Sequence, residues 1–434
     1  MLIVIRMPAA LLLLLVLLAP AFAETVVFRN CNLIDGTGTP VRAAVSIVAI
    51  DGKITSVASA ASVKIPAGAQ VVDLTGKYVM PGIINLHGHV GLPVDLAQEQ
   101  LRRYASYGVT TVVSLGTDLD PMFEVRAAQT KAGRPDVARV YTAGRGFILK
   151  TESAAPDPTR FQIDSVAEVK PRVDELAAKK ADFVKMWVDD NFGRGRKLAP
   201  EITTEIIREA HQHGIKALAH IVNLADAKQL VKAGLDGLAH SVRDQEVDAE
   251  LIVAMKKNGS LRGDAWQMAP TLTRELSTFV YAERPKFLDD PFFTHGEPAS
   301  AIEQVTNPQY VNRMKNDPAL ARNRGLLEMA KRNLKLLSDA GVRIGFGTDT
   351  GPTGRFQGYF EHLEMELMVE AGLTPVQVIA AATKSGAEFL GARDLGTLEV
   401  GKWTDLIVMT KNPLDDIRNT RSMTQVYIAG SLVK

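Results

Sequence analysis

The chain has 434 residues with 46% apolar side chains, enough for a large core plus one smaller domain. Fifty basic residues face 49 acidic ones, so the electrostatic footprint of a nucleic-acid binder is missing. The single cysteine, Cys31, excludes an internal disulfide.

The first 23 residues, "MLIVIRMPAALLLLLVLLAPAFA", carry one positive charge, a leucine-rich core and a small-x-small ending. They predict a secretory signal cleaved before Glu24, and a secreted or periplasmic mature protein that is formally neutral once Arg6 is removed. The apolar core over 9–18 is short for a span of roughly 20 residues. Cys31 lacks the small apolar residues that precede a lipidated cysteine, so no stable membrane anchor is expected.

From 25 to 77 the pattern is short β-rich runs broken by turn signals: "TVVFRNCNLID", "VSIVAIDGKITSV" and "QVVDLTGKYV". Asp51-Gly52 between two alternating apolar runs signals a hairpin. The same texture returns in "GTLEVGKWTDLIVMT" and "SMTQVYIAGSLVK". Both ends therefore predict one small β-sandwich domain, 24–80 with 395–434, and 81–394 is inserted between its halves.

The insert alternates strands with amphipathic stretches. Strands are expected at 83–87, 109–115, 140–143, 183–188, 216–220, 237–240, 267–271 and 343–347. These units make the chain α/β and suggest a closed (β/α)8 TIM barrel. A doubly wound open sheet is the alternative, disfavoured because so many strands end in ionisable residues. The seventh strand is the weakest, since "NGSLRGDAWQMAPTL" is polar and interrupted where a buried parallel strand reads as a plain apolar run. After it, 277–323 is rich in Pro, Asp and Phe and predicts a lid or an oligomer contact.

In such a barrel the C-terminal ends of the strands converge on one mouth. The first strand ends in "NLHGH", placing His87 and His89 on one face, since residues two apart on a strand share a side. His211 and His213 in "REAHQHG" are also two apart, but on a helical pattern they diverge by about 200° and His213 precedes a terminating Gly214. The fourth strand, "DFVKMWVDD", supplies Lys185; "KALAH" supplies His220, "DGLAH" His240 and "GFGTDT" Asp349. Each alone has an ordinary structural reading, as a hydrogen-bonded core histidine or a helix-capping aspartate. Together, four of eight histidines fall on one rim.

Imidazole nitrogens with a carboxylate suit zinc or a similar divalent ion, with positions left open for water and substrate. Lys185 is the odd member, because an ammonium repels a cation. It either pairs with an acid such as Asp349, or takes up carbon dioxide as a neutral amine to become a carbamate, which burial beside metal favours.

The motifs "PGIINLHGH", "DFVKMWVDD", "KALAH", "DGLAH", "GFGTDT" and "GTLEVGKWTDLIV" together resemble the metal-dependent amidohydrolase superfamily. The resemblance is strongest to its imidazolonepropionase-like branch, with Xaa-Pro dipeptidases (prolidases), carboxypeptidases and ochratoxin amidases. It implies a (β/α)8 barrel and two divalent ions, expected to be zinc. His87, His89 and Asp349 would hold one, His220 and His240 the other, and N6-carboxylated Lys185 would bridge them. Imidazolonepropionase itself uses one metal without such a lysine, so Lys185 argues for the two-metal members.

The expected activity is hydrolysis of the amide bond of a dipeptide or N-acyl amino acid, by a metal-bridged hydroxide with Asp349 as general base. Lactone or cyclic-amide hydrolysis is the alternative on the same site. A non-catalytic metal-binding scaffold would need neither Asp349 nor Lys185. A substrate carboxylate calls for a guanidinium at the mouth; the candidates are Arg243, Arg145 and Arg355, with Arg243 first because it follows His240 by three positions. Branch members tend to be homo-oligomers, and the aromatic segment "FVYAERPKFLDDPFF" (279–293) suggests either an interface between copies or a lid.

Overall fold

The computed structural model describes residues 24–132, 136–151, 155–257, 260–261 and 263–433; the expected signal segment lies outside them. Strand β1 (Thr25–Leu33) pairs antiparallel with β2 (Arg42–Ile50), which pairs with β3 (Lys53–Ser59). Asp51 and Gly52 turn this hairpin with φ of 48° and 78°, the left-handed pair that a two-residue turn requires. Strands β4 (Gln70–Asp73) and β5 (Tyr78–Pro81) run parallel to β1.

The chain then enters its parallel region. A three-stranded sheet holds β6 (Ile83–Gly88), β7 (Val109–Ser114) and β8 (Arg139–Thr142). A six-stranded sheet follows, built from β9 (Gly146–Leu149), β10 (Arg160–Ile163), β11 (Phe183–Trp187), β12 (Lys216–His220), β13 (Gly237–Leu238) and β14 (Trp266–Gln267), in the order β10-β9-β11-β12-β13-β14. Finally β15 (Leu406–Met409), β16 (Met423–Ile428) and β17 (Ser431–Leu432) return to the first sheet, where β15 lies antiparallel to β5.

Both chain ends thus share one continuous eight-stranded sheet, not two separate layers. β1 and β16 are three positions apart in it, about 14 Å if the sheet were flat. Yet the rings of Phe28 and Tyr427 stand 4.7 Å apart, so the sheet curls and packs its inner face upon itself. Cys31 is buried in that inner core, where desolvation pushes its thiol up to about 12.

The parallel strands form two sheets where one closed ring was expected. Beside β8 the continuation is a single backbone bond, Asp182 N to Thr142 O at 2.9 Å, because β9 occupies the position next to β11. On the other side, 343–350 makes only isolated bridges, Gln267 with Ile344 and Gly88 with Thr350. Its backbone still bonds to both neighbours: Gly345 N to Gln267 O at 2.9 Å, and Leu86 N to Phe346 O at 2.8 Å. The approach is too close for a side chain at Gly345, where a Cβ would sit 2.3 Å from Met268 O. The seventh strand is cut to Trp266–Gln267, and β9 and β10 were not expected.

Helices cover the strands by ordinary amphipathic logic. In Pro200–Gln212, a proline starts the helix, Ile202, Ile206, Ile207 and Ala210 face inward at three- and four-residue spacing, and His213 stands at the C-cap before Gly214 at φ 69°. The aromatic segment 279–293 has no long helix or strand of its own. It folds into short helical pieces whose Tyr281 and Phe293 pack with Tyr107, Phe356, Tyr359 and Phe360 of the same chain. Tyr281 and Phe293 are therefore covered internally, each fully buried ring contributing about 1.5–3 kcal/mol, while Phe279, Phe287 and Phe292 stay half-buried. No helix of the described residues is long and apolar enough to cross a membrane.

Candidate metal centre

The strand ends deliver their side chains to one cavity of about 630 Å³, lined by His87, His89, His220, His240 and Asp349. His89 Nε2 lies 2.8 Å from Asp349 Oδ1, and His87 Nε2 lies 3.6 Å from the same oxygen. The His87 and His240 rings are 4.9 Å apart, and those of His220 and His240 4.3 Å. Donor atoms of His87, His240 and Asp349 all fall within 4.8 Å of one another. This compact triad spans the two ligand groups that the resemblance implied.

The hydrogen bonds behind the rings orient them. His87 Nδ1 lies 2.9 Å from Ala239 O, an acceptor only, so it carries the proton and leaves Nε2 as a bare lone pair facing the cluster. His240 Nδ1 is 2.7 Å from the Thr271 hydroxyl, and His89 Nδ1 is 3.1 Å from that of Thr117. Such outer partners fix ring orientation in metal sites. Burial, with help from Lys185, holds His87 well below its usual range, and burial pulls His220 down to about 4. Both rings are therefore neutral near pH 7, as ligands must be.

Lys185 is fully buried, and its Nζ has no hydrogen-bond partner. It pairs with Leu218 while Trp187 pairs with His220, which places it one layer below the histidines on the same face of β11. Desolvation pulls its amine down to about 7, against the opposing pull of Asp349. Asp349 itself has a left-handed backbone at φ 59°. Burial works to raise its carboxyl, but Arg355, His87 and His89 outweigh that and hold it well below the carboxylate range.

The residues present fit a bound divalent ion. Nitrogen and carboxylate donors converge, their outer atoms are already committed, and an unpartnered buried amine calls for a change of state. A second cluster, Asp174, Glu209 and His213, lies toward the surface with Lys170 and Arg208 already paired to its carboxylates.

The three expected carboxylate binders go to different places. Arg355 lines the cavity but is paired with Asp349 Oδ2. Arg145 sits on Glu175 at 2.6 Å and over the Phe161 ring, away from the cavity wall. Arg243 is buried, turned from the cavity to Glu275 at 3.0 Å and to Ile221 O at 2.6 Å. Its closeness to His240 in sequence carried no information about which way the following loop turns.

Sequence reasoning passed over Arg274, which lines the cavity, and Asp189, which bonds His220 Nε2 at 3.2 Å and is held down to about 2 by that bond. The first aspartate of "WVDD" was the available signal for Asp189. It also passed over the buried net behind the site. There Glu361 accepts from Asn85, Thr348 and Thr350, while Asn85 Oδ1 accepts from His87 N at 2.9 Å.

Parallel strands that end in a histidine–aspartate cluster above a buried lysine have the layout of a metal-dependent α/β enzyme. Residues 78–433 match the amidohydrolase family, and the chain belongs to that family. It is an enzyme, a metal-dependent hydrolase of carbon–nitrogen bonds. The fold is similar to that of a protein assigned as a prolidase in Bifidobacterium longum, with a TM-score of 0.77 and 26% identity over 94% of each chain. It is also similar to A. niger ochratoxinase, with a TM-score of 0.71 and 20% identity over 95% of this chain and 96% of the other. Among curated relatives, a 5-methylthioadenosine/S-adenosylhomocysteine deaminase of Bacillus cereus (strain ZK / E33L) is 21% identical over 78% of this chain and 74% of its own length.

Proposed function

We propose that this enzyme hydrolyses the amide bond of a dipeptide or N-acyl amino acid, and that it acts after export on its 1–23 leader. One observation carries the reading: a cavity of amino-acid size holds four strand-end histidines and Asp349 above Lys185, with Arg274 and Arg355 on its wall. His87, His89 and Asp349 would hold one divalent ion, His220 and His240 a second, with Lys185 between them as a carbamate. The ammonium would first lose one proton. The neutral amine then adds to carbon dioxide, a C–N bond forms as one C=O π bond opens to an oxyanion, and a second proton leaves the nitrogen, so a repelling cation becomes an anion. Such ions supply a water of lowered pKa and a polarised carbonyl.

The chain's own groups do the rest. Asp349 is ionised and beside His89, so it is placed to accept a proton from water and return it to the leaving amine. Arg355 on its other oxygen keeps the carboxylate charged and oriented. Trp187, Val90 and Leu92 give the cavity apolar wall, which suits a side chain or acyl group. The same reading joins the two parallel sheets into one (β/α)8 barrel over 81–394, with 24–80 and 395–434 as its companion domain. The backbone bonds of Asp182, Gly345 and Leu86 across the two gaps support that arrangement.

The test is turnover by the purified, zinc-loaded protein on panels of dipeptides, N-acyl amino acids, lactones and aminopurine nucleosides. Release of free amino acid is expected. Turnover confined to lactones, or ammonia release from the nucleosides alone, overturns the reading.

A further inference from the structure

Arg274 stands on the short helix Leu272–Ser277 that follows β14, at the cavity wall with His220 and His240. Its position is unusually well fixed. Leu272 N and Thr273 N donate to the buried Glu364 carboxylate at 2.8 and 2.7 Å, and the Thr273 hydroxyl adds a third bond at 2.7 Å. These bonds pin the start of the helix. Next to it, Arg274 Nη1 donates to Glu275 at 2.8 Å, and Glu275 is held from behind by the buried Arg243.

Arg243 and Arg274 share the single carboxylate of Glu275, with Asp189 and Asp349 the further anions within electrostatic reach of both. Arg243 has no outlet, being buried on carbonyls. Arg274 keeps more than a quarter of its side chain exposed, and the surface it exposes is cavity wall. Arg355 is committed to Asp349 and Arg145 to Glu175. A guanidinium held on one edge, with its remaining N–H groups toward a pocket, is preorganised for a carboxylate.

We propose that Arg274 binds the free carboxylate on the amino-acid half of the substrate, so that the substrate class is an N-acyl amino acid or dipeptide with an unblocked C-terminus. The assignment rests on the amidase reading above and narrows it: a substrate without that carboxylate leaves a charged side chain unmatched. Arg243, with Glu275, becomes the support that holds Arg274 in place.

The test compares wild type with Arg274→Gln, both metal-loaded, on N-acetyl amino acids and on the matching N-acetyl amino alcohols, which keep the scissile amide and lack the carboxylate. Calorimetric binding of the free amino acid and the amino alcohol is measured alongside. Arg274→Gln is expected to lower kcat/KM on the acids about 10- to 100-fold and to leave the amino alcohols within about threefold. Binding of the free amino acid should weaken to match. Arg274→Lys, which keeps the charge without the fork, should fall between, and metal content with circular dichroism monitors folding of both variants. Equal losses on acids and alcohols, or no loss on acids, overturn the assignment while leaving the amidase reading intact. Binding of the acid that depends on Arg274, with no hydrolysis of either series, overturns the amidase reading and keeps Arg274 as the anion site. Neither binding nor hydrolysis of the acids overturns both.

Discussion

Asn85 Nδ2 donates to Glu361 Oε1 at 2.6 Å, tying the strand that ends in His87 to the helix Tyr359–Glu370 that follows Asp349. The same oxygen accepts the hydroxyls of Thr348 and Thr350 at 2.9 Å each, and Glu361 Oε2 accepts Gly358 N at 2.6 Å. All of these side chains are buried, so removing the acceptor strands several donors at once. Glu361→Ala is expected to cost about 3–5 kcal/mol in urea unfolding and to lower bound metal, because His87 loses the partner of its partner. Unchanged metal content in a folded Glu361→Ala protein would separate this net from the site.

Lys185 is expected to be indispensable for metal retention. Lys185→Ala should lose most bound metal, measured by elemental analysis, and most activity, and short carboxylates such as propionate should restore part of both by filling the vacated space. Lys185→Arg should not be rescued, since its guanidinium keeps the positive charge and leaves no room. Full metal content in Lys185→Ala would leave the orphaned amine without a role.

The legible part of this molecule was the part whose chemistry sits at strand ends. Apolar runs such as "KALAH" and "DGLAH" announce both a buried strand and the ionisable residue that closes it, and the structure gathers those residues in one cavity. The Asp51-Gly52 hairpin was legible for the same reason, as a local rule sufficient by itself. Strands β9 and β10 were hidden because each has only four residues and reads as loop. The segment 343–350 bonds both neighbours through isolated bridges, with a close backbone approach at Gly345 that pattern alone does not reveal. The aromatics of 279–293 had no periodicity because their partners, Tyr107 and Tyr359, lie far away in the chain. Arg243 is turned from the cavity and Arg274, passed over in the sequence, lines it, because the direction of a loop is set by tertiary contacts, here Glu275 and the carbonyl of Ile221.

Arg243 and Arg145 predict an order of stabilities. Arg243 is 1% exposed and Glu275 2%, so Arg243→Met leaves a buried carboxylate with one partner and two carbonyls without donors. The expected loss is about 3–5 kcal/mol. Arg145 and Glu175 are 28% and 26% exposed, and Glu175 also has Lys179 at 2.9 Å, so Arg145→Ala should cost about 1 kcal/mol or less. Chemical denaturation of the two variants side by side checks the order, and a larger loss at Arg145 would contradict it.

His362 provides a pH dependence away from the metal centre. Its ring is buried, with Nε2 2.9 Å from Tyr107 O and Nδ1 2.9 Å from the Thr420 hydroxyl. A carbonyl only accepts, so Nε2 carries the proton, and the one hydrogen of the Thr420 hydroxyl has both His362 Nδ1 and Ile417 O at 2.9 Å as acceptors. Burial pulls it down to about 4 from a usual value of 6.5. Because the folded value is depressed, the unfolded chain binds the extra proton first as pH falls. The stability contributed by the neutral ring is therefore complete above pH 6.5 and declines as pH drops toward 4, by about 3 kcal/mol over the window. Arg421 nearby works in the same direction and Asp290 against it. His362→Gln, which keeps a donor and an acceptor but does not titrate, should be less stable than wild type at pH 7.5 and should lose that part of the slope between pH 6.5 and 4. Urea midpoints at half-unit pH steps for both proteins measure it, and parallel curves would mean that the acid sensitivity arises elsewhere.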